Sequence, residues 1–148
     1  MLFVLDASAV LNDFGFEFRK NHSYIVTSRV FLEFRDLRSR NLADNALKQG
    51  ILKIMEPSHE SMHRARELAN MLEYRAISDA DCSILGIALD LKNHGVKFSV
   101  ITDDRAMQKI CLMAGIAFEA VIRGKAKKGK ERSKAMPRKG KQWKKAKG

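Results

Sequence analysis

Short apolar runs alternate along this chain with longer segments whose apolar residues recur every three or four positions. That alternation predicts strands separated by helices. FVLD near the start is short and apolar, as a buried strand is, and ASAVLNDF after it predicts a helix beginning at Ala7 or Ser8 and ending at Phe14-Gly15. Tyr24 to Val26 reads as a short extended piece. Ser28 can cap a helix through Arg38, because Val30, Phe31 and Phe34 fit one helical face better than they fit alternation. A further helix is expected over Leu42 to Gln49, closed by Gly50, and ILKIM is a second strand stopped by Glu56-Pro57. From Ser58 or Ser61 a long helix is expected to reach Tyr74, with Met62, Ala65, Leu68, Ala69 and Leu72 on one face. Ser78 caps the next, which buries Ile84, Leu85, Ala88 and Leu89 and ends at His94-Gly95. VKFSVIT is a third strand, DRAMQKICLMAG a helix closed by Gly115, and IAFEAVI a fourth strand. The expected fold class is therefore α/β, a three-layer α/β/α sandwich around a central, mostly parallel sheet.

The 148 residues suit one domain, and no internal repeat is visible. The longest apolar stretches are too short to cross a bilayer, so no membrane partner is expected. The start MLFVLDAS carries neither a basic region nor a small-residue cleavage site, which makes the cytoplasm the expected compartment. Cys82 and Cys111 both fall within helical patterns and cannot form a four-ligand zinc site by themselves; buried, reduced thiols are the expectation.

Charge changes the picture of the C-terminal segment. Residues 123–148 hold 13 Lys/Arg and one Glu, a net of +12, whereas the whole chain is +11; residues 1–122 therefore sum to −1. A nearly neutral body is followed by a polycation that is too poor in apolar residues to fold alone and is expected to be disordered when free. Such an arm most often neutralises nucleic-acid phosphates, here with Lys127, Lys128, Lys130, Lys139, Lys141, Lys144 and Lys145. Trp143, its only aromatic, could stack on a base or dock on a partner. The expected organisation is a folded domain over 1–122 and a basic tail over 123–148.

Candidate chemistry sits where the apolar runs break. Asp6 follows MLFVL, Glu33 falls in RVFLEF, Asp81 opens CSILGIAL, and Asp103-Asp104 follow FSVIT. Residues just past the strand ends of an open parallel sheet line its ligand crevice, so strands that stop on Asp deliver carboxylates there. Each acid also has an ordinary reading: Asp6, Asp79, Asp81 and Asp104 all suit a helix start, where the macrodipole favours negative charge. Glu33, read as mid-helix, has no such role. The joint order carries the signal: strand-Asp-x-Ser, helix Glu, helix-start Asp, then strand-Thr-Asp-Asp. Ser8 and Thr102 add hydroxyls suited to orienting a carboxylate.

With these residues in this order the chain resembles the PIN-domain ribonucleases, through Asp6 in FVLDAS, Glu33 in VFLE, Asp81 in SDAD and Asp104 in TDD. Within that superfamily EFRD, SDADCSILGIALDL and TDDRAMQKICLMAGI resemble the Nin-one-binding (NOB) branch, endonucleases that mature the end of small-subunit rRNA. The resemblance implies that Asp6, Glu33, Asp81 and Asp104 are catalytic and that Asp6, Asp81 and Asp104 bind metal, with Asp103 a secondary ligand at the rim and Asp79 a helix-start acid. NOB-type proteins usually add a four-cysteine zinc ribbon, and this chain ends instead in the basic tail.

Carboxylates packed together repel, and a hard cation such as Mg²⁺ or Mn²⁺ relieves them. Such an ion suits in-line attack of water on a phosphodiester. The resemblance implies a 5′-phosphate product, and whether one ion or two act stays open. The expected partner is RNA, as precursor small-subunit rRNA or a ribosomal particle, held by the tail and by Arg35, Arg38, Arg40 and Arg105. Two alternatives stand beside this: a VapC-type toxin silenced by a small antitoxin, and a non-catalytic RNA-binding PIN module. PIN relatives often dimerise, so a homodimer is a further expectation.

Overall fold

The computed structural model describes residues 1–72 and 77–121. Five strands, β1 (Leu2–Leu5), β2 (Ser23–Val26), β3 (Leu52–Ile54), β4 (Ser99–Ile101) and β5 (Phe118–Glu119), form one sheet in the order β3-β2-β1-β4-β5. Every pairing is parallel. The helices are α1 (Ala7–Leu11), α2 (Ser28–Phe31), α3 (Leu37–Lys48), α4 (His59–Asn70), α5 (Asp79–Asn93) and α6 (Arg105–Ala114). The chain first moves outward from β1 to β2 and β3, then crosses to β4 and β5 on the other side. Right-handed crossovers running in opposite directions put their helices on opposite faces. So α1 and α3 cover one face, and α4, which touches both α5 and α6, covers the other with them, as the α/β/α reading expected.

The core is built from fully buried strand residues, Val4, Leu5, Val26 and Val100, under a helix α5 that is buried along most of its length. That helix lies so close to its neighbours that a Cβ at Gly86 would stand 2.7 Å from the Pro57 Cβ. A side chain there would force the packing apart. The body ends α6 with Gly115 at φ 69°, the left-handed turn that only glycine adopts without strain. Cys82 and Cys111 are buried and unpaired, and burial pushes the Cys111 thiol up to about 12. It is an inert core thiol.

Several boundaries differ from the sequence expectation. Tyr24 to Val26 is a full strand of the sheet, making five strands where four runs were evident. The helix expected from Ser28 to Arg38 stops at Phe31, and the chain turns through 32–36 before α3. The cause is Asp36, whose carboxylate accepts the Ser39 N–H at 2.9 Å and the Ser39 hydroxyl, a cap that starts a new helix at Leu37 rather than Leu42. Glu33 therefore lies on a turn and not within a helix. The long helix capped by Ser58 ends at Asn70, and Tyr74, its expected last residue, lies outside the described residues. So does the basic tail from Arg123 onward, with Lys127, Lys128, Lys130, Lys139, Lys141, Trp143, Lys144 and Lys145.

Candidate active site

The strand order reverses between β1 and β4, and an open α/β sheet has its crevice at such a switch point, outside the carboxyl ends of the strands. Asp6 leaves β1 there and Asp103-Asp104 leave β4 beside it. Two hydroxyl relays tie these loops together. Asp103 N–H donates to Ser8 Oγ at 3.2 Å, and Ser8 Oγ donates to Asp6 Oδ2 at 3.1 Å. Asp104 N–H donates to Thr102 Oγ1 at 3.0 Å, and Thr102 Oγ1 donates to Asp6 Oδ2 at 2.6 Å. Both relays end on one carboxylate oxygen, so the hydroxyls hold Asp6 in place and are themselves held by backbone.

Asp6 is the N-cap residue of α1, yet its side chain makes no cap bond. The ordinary helix-start role is thus not what its carboxylate does. Asp104 is different: its Oδ1 accepts the Ala106 N–H at 2.8 Å and caps α6. Asp103 Oδ1 accepts the Val121 N–H at 2.8 Å, which fastens it to the segment after β5. Gln108, which sequence reasoning passed over, donates from Nε2 to the Thr102 carbonyl at 2.9 Å and fixes the same loop from α6. No motif marked it.

Asp81 stands half-buried in the first turn of α5, where Ser78 supplies the cap by accepting the Asp81 N–H at 3.1 Å. Its carboxylate is therefore not needed at the helix end. Asp79, the first residue of α5, is exposed and lies 3.8 Å from Arg66, an ion pair away from this set. The placement of α5 relative to α2 rests on another unforeseen pair. Ser83 Oγ donates to the Ala80 carbonyl at 2.6 Å, so in its 2.7 Å contact with Thr27 the threonine hydroxyl is the donor. Thr27 also caps α2 by accepting the Val30 N–H at 3.2 Å.

Electrostatics brings the four acids together. Burial raises the Asp6 carboxyl above its ordinary range; the Thr102 and Ser8 hydrogen bonds pull it back and the Asp104 charge pushes it up. Burial raises Asp81 from 3.8 to about 6, helped by the charges of Asp6, Asp104 and Glu33 against the Ser78 hydrogen bond. Glu33, exposed on its turn, is also raised, by partial burial and by Asp6, with Arg35 opposing. Asp6 feels the charge of Asp104, Glu33 that of Asp6, and Asp81 that of all three others. Among the described residues no three His, Cys, Asp or Glu side chains are drawn into a closed metal-ligand cluster. The donors nonetheless fit one chemistry: carboxylate and hydroxyl oxygens, negative and partly desolvated, which suit a hard divalent cation.

The arginines expected to meet RNA divide into two kinds. Arg35 and Arg105 are exposed at the edges of this region. Arg38 donates to the Val10 carbonyl at 2.7 Å and the Asp13 carbonyl at 3.4 Å, and lies over the Phe14 ring at 5.0 Å. Arg40 donates to the Phe34 carbonyl at 2.9 Å and lies over the Phe31 ring at 4.8 Å.

Residues 3–91 match the family described as the PIN domain of ribonuclease. The endoribonuclease Nob1 of Methanothermobacter thermautotrophicus is 38% identical over 120 residues, 80% of this chain and 68% of that protein. The ribonuclease VapC3 of Aeropyrum pernix is 36% identical over 89 residues, 60% of this chain and 64% of that one. A solved chain from VapBC2 of Rickettsia felis, bound to a DNA fragment from its promoter, covers 81% of this chain and 98% of its own at 16% identity and a TM-score of 0.49.

Proposed function

The chain belongs to the PIN-domain family of ribonucleases, and from that premise we propose that it is a metal-dependent endoribonuclease that processes precursor small-subunit rRNA. The observation that carries the reading is that Asp6, Glu33 and Asp81 are all raised around the switch point, by burial first and then by the charge of other acids of the set, Asp104 among them. Structural ion pairs lower carboxylate pKa values, whereas desolvated acids that add their charges at one place suit a bound cation.

In this proposal Asp6, Asp81 and Asp104 hold Mg²⁺ or Mn²⁺, with Asp103 at the rim and Glu33 at the exposed edge as the acid nearest incoming substrate. Such an ion supplies Lewis acidity, activating water toward a phosphodiester and offsetting charge that builds on the phosphate. Ser8 and Thr102 keep the Asp6 carboxylate oriented through hydrogen bonds of 3.1 and 2.6 Å. Arg35 and Arg105 meet phosphates flanking the cut. The basic segment 123–148, with its net +12, raises local RNA concentration through its charge. The alignment with a Nob1 endoribonuclease over 80% of the chain, against 60% for VapC3, favours rRNA processing over a toxin role. The VapC3 similarity keeps the toxin reading as the second choice, with an antitoxin as its partner.

The test is incubation with Mn²⁺ and a transcript spanning the small-subunit rRNA end. Wild type should cut and leave a 5′-phosphate, Asp104→Asn should not, and a truncation at Ile122 should bind RNA with a shallower salt dependence. Equal cleavage by wild type and Asp104→Asn refutes the nuclease reading; cleavage of tRNA in preference to the rRNA transcript favours the toxin.

A further inference from the structure

Phe14 is the most exposed of the large apolar side chains among the described residues, at 83%. Apolar rings so placed are usually floppy, but this one is braced. The Arg38 guanidinium lies over its face, 5.0 Å from the ring centre, and that guanidinium is itself fastened to the carbonyls of Val10 and Asp13. The Asp13 side chain closes the turn by accepting the Gly15 N–H at 3.0 Å. One ring face is thus covered by a cation while most of the side chain is open to solvent.

The location matters as much as the geometry. Asp6 is the N-cap of α1, which is five residues long, about 8 Å at 1.5 Å per residue, and Phe14 comes three positions after its last residue, Leu11. Arg38 and Arg40 lie at the start of α3, just after the 32–36 turn that carries Glu33, and Arg40 lies over Phe31, the last residue of α2. An aromatic face backed by a guanidinium is the surface on which nucleobases stack, because every base offers a π-face and the adjoining cation attracts the polyanion. Arg38 sets a cation on the Phe14 ring and Arg40 adds a second on α3, charge that favours a polyanion such as nucleic acid.

We propose that Phe14, backed by Arg38, is a stacking platform for a base of single-stranded RNA on the strand that is cut. The proposal rests on the nuclease reading, and it names a base contact where the acids contact only phosphate. It assigns Arg38 to positioning the ring rather than to neutralising a phosphate.

The test measures binding of a short oligoribonucleotide to full-length chain carrying Asp104→Asn, with and without Phe14→Ala. Stacking on an aromatic is worth a loss of roughly 5- to 100-fold on truncation to alanine. The expected result is a loss in that range, with the slope of affinity against salt unchanged, recovery in Phe14→Trp, and no further loss when the oligonucleotide is abasic at the stacked position. Phe14→Leu should bind as poorly as alanine, which separates stacking from simple apolar contact. Equal affinity of Phe14→Ala and its parent overturns the platform while leaving the nuclease reading intact. A changed sedimentation coefficient in Phe14→Ala with RNA affinity unchanged also overturns it, and assigns the ring to a protein interface. Failure of every variant, and of wild type, to bind or cut RNA overturns the nuclease reading and the platform with it.

Discussion

Asp81→Asn should stabilise the metal-free protein while abolishing its activity. Burial and three neighbouring carboxylates hold the Asp81 carboxyl at about 6, against 3.8 ordinarily. At 1.36 kcal/mol per pH unit that interval is worth about 3 kcal/mol. The side chain is only half-buried, and solvent screening reduces the contribution to about 1–2 kcal/mol. The sign follows from proton binding: the folded state holds this proton more tightly than the unfolded chain, so stability falls as pH rises from about 4 to about 6 and stays reduced above. Asparagine keeps the shape, leaves the Ser78 cap on the backbone N–H, and removes the charge. In a domain of this size about 1.5 kcal/mol corresponds to a rise in Tm of roughly 5 °C. Melting in EDTA at pH 7.5 should show that rise, and the gap should close toward pH 4. Added Mn²⁺ should raise the melting temperature of wild type and leave the variant nearly unmoved. A variant that melts at or below the wild-type temperature at pH 7.5 in EDTA would show that the Asp81 charge is not under strain, and the account of the site would fail.

Thr102→Val removes the 2.6 Å donor to Asp6 and the acceptor of the Asp104 N–H at once, which should cost about 1–3 kcal/mol in denaturant melts and lower kcat more than it raises KM. Unaltered kcat would mean that the relay does not orient Asp6. Gly86→Ala gains about 1 kcal/mol in helix propensity but drives a methyl to 2.7 Å from Pro57. Overpacking of that kind costs about 1–3 kcal/mol, so the urea midpoint should fall, and a rise would show that Pro57 yields freely.

The sheet and most helices were legible because burial writes a period into the chain. α5 announced itself through Ser78 and an unbroken apolar run, and α6 through Asp104 and Gly115. The break between α2 and α3 was not legible, since Val30 and Phe34 are both buried and keep a helical spacing across a turn. Asp36 in EFRD was the available clue, a capping residue three positions before Ser39. Of the candidate site, Asp6 and Asp104 could be read because strands stop just before them, and Glu33 and Asp81 only through the order of all four acids along the chain. The Thr27–Ser83 pair, the Gln108 contact and the exposed ring of Phe14 could not, because each depends on which residues meet across the fold, 56 positions apart in the case of Thr27 and Ser83. Arg38 and Arg40 looked like surface charge, and only their carbonyl partners reveal an internal duty.

The bond from Thr102 to Asp6 joins residues 96 positions apart. On a ribosome the aspartate is made 96 residues before its hydroxyl partner. Strand β4 must then insert beside β1, a long-range pairing of the kind that forms late and slowly. A nascent or partly folded chain therefore presents Asp6 without the groups that orient it. On the nuclease reading, competence arrives only once β4 lies beside β1, so a chain made amid abundant RNA stays harmless until that strand has joined the sheet.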